Sequence, residues 1–234
     1  MKKLIILFLV TLLSSICIKA QENGFYIDAN YNTFSHKKLK SFQEEFRADI
    51  VDVQLIKNDE FPSNIGFTIG YKVSELNASF FASYTSTGGK VSYSDYSGVI
   101  RITEAIEGIT FGGEYLLNLI PISQNKGEFN VGFRSFFILS KLDIESYTSI
   151  ADQSETDSIG FNSVDLGGGV RVIYEYPVGF FKLRASLGFD IVLGGKYLLK
   201  EDQEFYLQDN SGDAVKNGWT GLRAGLGIFI PLQF

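Results

Sequence analysis

Eight stretches of this sequence alternate between two kinds of residue, and their apolar side is unusually long and aromatic. Phe25, Ile27, Ala29 and Tyr31 alternate with Tyr26, Asp28, Asn30 and Asn32. The same period of two runs through residues 64–73, 76–84, 109–117, 129–140, 164–176, 181–193 and 222–234. A period of two marks β-strands with two distinct faces. The second face is the constraining one, because it is rich in glycine and carries single charges at similar depths. A narrow eight-strand barrel has an interior just wide enough for side chains, so glycines and paired charges suit the inside. The chain is therefore expected to be apolar outside and polar inside, the pattern of a membrane barrel.

Connection lengths point the same way. Residues 35–63, 86–108, 141–162 and 194–218 are long and polar, whereas 74–75, 118–128 and 177–178 are short. Outer-membrane barrels place long loops outside and short turns in the periplasm. Aromatic residues fall in two bands. Phe25, Tyr71, Tyr115, Phe129, Tyr174, Tyr176, Phe181 and Phe234 lie near the expected periplasmic rim, and Tyr31, Phe67, Tyr84 and Trp219 near the outer one. Amphipathic rings favour such interfaces. A soluble secreted barrel is the alternative fold, and it would leave the sorting of loop lengths without a cause.

The start of the chain indicates export. Met1, Lys2 and Lys3 precede an apolar run from Leu4 to Leu13, and Ile18, Lys19 and Ala20 offer a cleavage site. This is the pattern of a signal peptide over 1–20, leaving one barrel domain over 21–234. Cys17 raises a lipoprotein alternative, but Ile16 before it is large for that cleavage. Loss of residues 1–20 removes the only cysteine and three of the 21 basic residues, leaving 18 against 27 acidic ones. A formal charge of −9 follows, and it argues against a nucleic-acid partner, which needs clustered Lys and Arg. No later stretch resembles a helical membrane span, so a closed sheet is the available membrane solution.

With these residues in view, the chain resembles the outer-membrane β-barrel proteins of Gram-negative bacteria, the OmpA-like and OmpX-like eight-strand barrels of the porin superfamily. The resemblance covers essentially all of 21–234. It implies an all-β, eight-stranded, antiparallel up-and-down transmembrane barrel in the outer membrane, contacting its lipid. It also implies handling by periplasmic chaperones and the barrel-assembly machinery, with Phe234 as the assembly signal. The periplasmic peptidoglycan-binding domain of full OmpA-type proteins has no counterpart in these residues.

The inward charges are the first site candidates. Asp28, Glu114, Asp165, Glu175 and Asp190 face Lys72, Arg134, Arg171, Lys182, Arg184 and Arg223, a near balance suited to a desolvated lumen. A turn at 177–178 would set Arg171 against Arg184 and Asp165 against Asp190, and like charges directly opposite are unfavourable. Partners are therefore expected from elsewhere: Glu114 and Glu175 for an arginine layer that includes Arg134, and Asp190 for Arg223. Such a network is either a structural plug or a gated path for ions or small solutes.

The remaining features divide between structure and chemistry. Leu39, Phe42, Phe46, Ile50 and Val53 recur at helical spacing, which fits an amphipathic helix capping the barrel or lying on the membrane. Residues 86–108 keep alternation around a turn near 95–98 and should extend the wall as a protruding hairpin. Lipid-modifying barrel enzymes use a histidine with a serine. The sole histidine, His36, has Ser35 and Ser41 near it in sequence but no surrounding motif, so a surface histidine is expected. Gly167, Gly168 and Gly169 continue a strand with no following helix, which favours close backbone approach over phosphate binding. Residues 151–158 lack the ligand order of a calcium loop and read as a solvated outer loop with at most weak divalent-ion binding. No cofactor or metal is expected, and the function is read as structural or surface-interacting through the outer loops. No residue names the surface ligand.

Overall fold

The computed structural model describes residues 22–49, 56–96, 98–120, 127–150 and 153–232. The signal-peptide segment 1–20 and the assembly residue Phe234 lie outside the described residues.

Strand β1 (Gly24–Phe34) shows which face is which. Its buried positions from Tyr26 to Asn32 carry the polar groups: Asp28 is 1% exposed, whereas the neighbouring Ile27 is 51% exposed. The inversion recurs in β3 (Asn64–Val73), β4 (Ala78–Ser94), β5 (Gly98–Ile120), β6 (Glu128–Ile150), β7 (Gln153–Val178), β8 (Phe181–Leu193) and β10 (Gly221–Pro231). These eight pair antiparallel in the order β1–β3–β4–β5–β6–β7–β8–β10. Pairing of β1 with β10, from Gly24 opposite Pro231 to Phe34 opposite Gly221, closes the ring. Closure leaves the apolar belt no sheet edge, as lipid requires. Among the described residues no helix is long and apolar enough to cross a membrane.

The belt ends at the level of Tyr31, Tyr84, Ile109, Leu139 and Val164, all exposed. Above it, four strands keep going. The 86–108 segment pairs as a hairpin to Ser94 opposite Val99, turned at Asp95, whose Oδ1 accepts the Gly98 N–H at 3.1 Å. Segment 141–162 is a correction. It was expected as a loop, but β6 runs to Ile150 and β7 starts at Gln153, paired throughout. Its Ser-, Thr- and Asp-rich composition conceals a strand because the tip has no buried apolar face to generate alternation; the adjoining β5 supplies the pairing template. The first connection holds helix α1 (Lys37–Asp49) and the short strand β2 (Ile56–Glu60), which adds to β4. A two-residue strand β9 (Leu198–Leu199) adds to β7.

The last short turn is the second correction. It falls at Gly179 and Phe180, with Val178 opposite Phe181, instead of at 177–178. Gly179 has φ +64°, as the first central residue of a II′ hairpin turn requires. This register sets Glu175 opposite Arg184 and removes the like-charge conflict. It also sets Arg171 opposite Gly188 and Asp190 opposite Gly169. A Cβ at Gly188 would lie 2.5 Å from the Arg171 Cβ, and one at Gly169 would lie 2.3 Å from Asp190 Oδ1. These glycines are the spaces that admit the large lumen side chains.

Candidate functional site: the charged lumen and its outer cap

The lumen is filled in layers. At the short-turn end Lys72 lies 3.4 Å from Glu175 and 3.9 Å from Glu128, while Lys182 reaches Glu22 at 3.0 Å and Glu128 at 3.6 Å. Both ammonium groups sit over the fully buried Phe229 ring, at 5.4 and 5.6 Å from its centroid. The next layer holds Arg184, which bonds Glu175 and reaches Asp28 at 3.1 Å while lying 4.2 Å over Tyr26. Beside it Arg171 grips Glu114 with Nε and Nη2, and Ser79 Oγ donates to the same carboxylate at 3.2 Å. Neutral groups continue along one wall: Asn30 donates to Thr68 at 2.8 Å, and the Thr68 and Ser83 hydroxyls hydrogen-bond to each other at 2.7 Å.

The upper layer departs from the expected pairing. Arg134 takes neither Glu114 nor Glu175; its Nη1 lies 3.3 Å from both oxygens of Asp190. Arg223 donates Nε to the same carboxylate at 3.2 Å. Aromatic faces complete the layer, with Arg134 4.2 Å over Phe81 and Arg223 5.4 Å over Phe34. Asp165 is a further correction, because among the described residues it joins no ion pair. It accepts hydrogen bonds from Ser140 (2.8 Å), Ser163 (3.0 Å), Asn217 (2.7 Å) and the Gly195 N–H (2.6 Å). Asp165 thus ties the last long connection down into the mouth. The inner-face rings of Tyr26 and Phe81 were visible in the alternation, but their role as guanidinium platforms depends on register between non-adjacent strands.

The outer cap corrects two more expectations. Trp219 is no rim residue: it is 1% exposed and donates Nε1–H to Ser140 Oγ at 2.9 Å. His36 is no surface residue either, being 1% exposed with its ring 4.7 Å from Trp219 and 5.7 Å from Phe61. Among the described residues neither ring nitrogen has a hydrogen-bond partner, so His36 polarises neither Ser35 nor Ser41. Helix α1 buries Leu39 and Gln43 inward. Gln43 Nε2 donates to Glu104 at 3.0 Å and to the Asp59 carbonyl at 3.2 Å. No group of three metal-ligating side chains occurs among the described residues.

Two titratable groups of the cap, His36 and Glu104, lie above the belt, and burial disfavours the charged form of each. Burial, aided by the Lys40 charge, pushes His36 down from 6.5 to about 3. Burial pushes Glu104 up from 4.5 to about 7, against the Gln43 hydrogen bond. Between pH 3 and 6.5 the unfolded cap binds the His36 proton that the folded cap refuses, so this contribution is lost as pH falls. Between 4.5 and 7 the folded cap holds the Glu104 proton that the unfolded cap releases, so this one is lost as pH rises. Glu104→Gln is therefore expected to leave cap stability rising with pH up to about 6.5. His36→Asn should leave it falling between 4.5 and 7. The rate of proteolysis within residues 37–60 across this range measures both.

A closed eight-strand ring with an apolar exterior and an ionic, side-chain-filled interior defines an outer-membrane-type β-barrel. No protein-family model matches the chain, and no curated protein does. Among solved structures, Neisserial surface protein A is similar at 12% identity, over 90% of this chain and 97% of that one, with a TM-score of 0.37. Ail, the attachment invasion locus protein of Yersinia pestis, is similar at 13% identity, over 91% and 99%, with a TM-score of 0.39. A major outer membrane protein from Thermus thermophilus is similar at 10% identity, over 90% and 99%, with a TM-score of 0.41.

Proposed function

We propose that this chain is exported to the outer membrane of a Gram-negative bacterium and works there as a non-enzymatic surface-interaction barrel. In this reading the charge-paired lumen is a structural post, Phe234 guides assembly by the barrel-assembly machinery, and periplasmic chaperones carry the chain there. The observation that carries it is the wall formed by β4–β7. Beyond Val164, β7 alone has eleven further residues to its start at Gln153, a strand length of roughly 35 Å. A membrane anchor needs no such extension, whereas a surface presented to a partner does. Layered ion pairs and a capped mouth support a closed lumen over an ion path.

Two measurements test the reading. Protease added to intact cells should cut within 86–108 or 141–162 and leave the barrel protected; cutting only after the envelope is broken would overturn the outward orientation. In planar lipid bilayers the pure protein should show no steady conductance, and a large stable current would restore the pore reading.

A further inference from the structure

Strand β7 is an edge above the belt. It pairs with β6 from Gln153 to Glu175, but on its other side, among the described residues, only with β8 from Leu166 and with β9 at Phe161 and Asn162. Among the described residues no strand covers that side from Gln153 to Ile159. The direction of the free groups follows from the neighbouring bonds. The Gly160 carbonyl accepts the Lys200 N–H at 2.9 Å, so Gly160 faces away from β6. In an antiparallel strand the N–H and C=O of one residue point to the same side, and the side alternates. Ser158, Thr156 and Ser154 therefore turn their backbone donors and acceptors outward, in register for an added strand.

The surroundings choose the partner. Glu155 and Asp157 are exposed on the edge itself, and Glu145 is opposite Ser158 on β6. Because β9 runs outward from the barrel, the exposed turn carrying Glu201, Asp202 and Glu204 begins beside Gly160; of the bases nearby, Lys141 is paired with Asp143 and Lys200 stands at the foot of the turn. A second copy pairing edge to edge would set these carboxylates against one another, and like charges facing across strands repel. Acidic side chains thus guard the edge against self-association while favouring a cationic strand. Resting on the surface-interaction reading, we infer that the β7 edge from Ser154 to Ser158 docks an extended polypeptide segment bearing lysine or arginine, by addition of a strand.

The test uses the full chain in phosphatidylcholine vesicles, whose neutral surface binds little peptide by itself. The probe is a short peptide alternating lysine and valine. Its N-methylated form keeps the charge and loses the backbone donors, and a glutamate–valine peptide reverses the charge. The lysine peptide should bind at least ~10-fold more tightly than either, and a factor of ten corresponds to about 1.4 kcal/mol. Thr156→Pro removes an outward N–H without touching the β6 ladder and should abolish the preference for the unmethylated peptide. Glu155→Lys with Asp157→Lys should shift preference toward the glutamate peptide. Equal binding of the N-methylated peptide, or no effect of Thr156→Pro, would overturn strand addition. If no peptide binds while the wall stays protease-accessible on cells, this proposal falls and the surface-interaction reading stands.

Discussion

Asp190→Ala is expected to destabilise the barrel by about 3–5 kcal/mol, because it strands two buried guanidinium groups at once. Arg134 and Arg223 converge on this one carboxylate, and both are almost fully buried. Their aromatic neighbours, Phe81 and Phe34, soften the charge but supply no counter-ion. Urea unfolding in lipid vesicles, followed by the mobility difference between folded and unfolded chain on gels, gives the measurement. Adding Arg134→Met and Arg223→Met to Asp190→Leu should recover most of the loss, since an apolar layer is often as stable as a buried ion cluster. A neutral Asp190→Ala would sink the account of the lumen as an ion-paired post.

Trp219→Ala carries the second large effect, about 3–5 kcal/mol for a large buried aromatic, concentrated on the cap. The indole meets His36 and Phe34, anchors to Ser140, and fills the space over Gly108, where a Cβ would lie 3.0 Å from its ring. Its loss should free the connection 194–218 and open the cage around His36. Proteolysis of that connection should therefore accelerate while the belt keeps its folded gel mobility. Trp219→Phe should retain most of the packing and lose only the Ser140 hydrogen bond. If the cut rate is unchanged in Trp219→Ala, the indole does not hold the cap.

Particular elements show where sequence reasoning reached and where it stopped. Ile27 and Asp28 sit on opposite faces in any strand, so the inverted barrel was legible from alternation and from the glycines beside the charges. The helix at Lys37–Asp49 was legible too, because Leu39, Phe42 and Phe46 recur at helical spacing. Segment 141–162 was not, because its solvent-exposed tip has nothing apolar to alternate. The turn at Gly179 was missed in favour of Pro177, although a positive φ is a demand that glycine meets without cost. That difference of two residues decided which charges face each other. His36 and Trp219 were misread because one strand period cannot distinguish a rim from a cap folded into the mouth.

The sequence by itself determined that this chain closes into a barrel with lipid outside and charge inside. Side-chain alternation is a local property of the backbone, and lipid tolerates no open sheet edge. Only the tertiary structure decided that Arg134 and Arg223 share Asp190, that Asp165 anchors a connection instead of pairing, and that β7 begins as an acidic edge that no described strand covers. Those outcomes depend on register between strands far apart in the chain. A shift of one or two residues changes the partners of each lumen charge, and no local pattern records it.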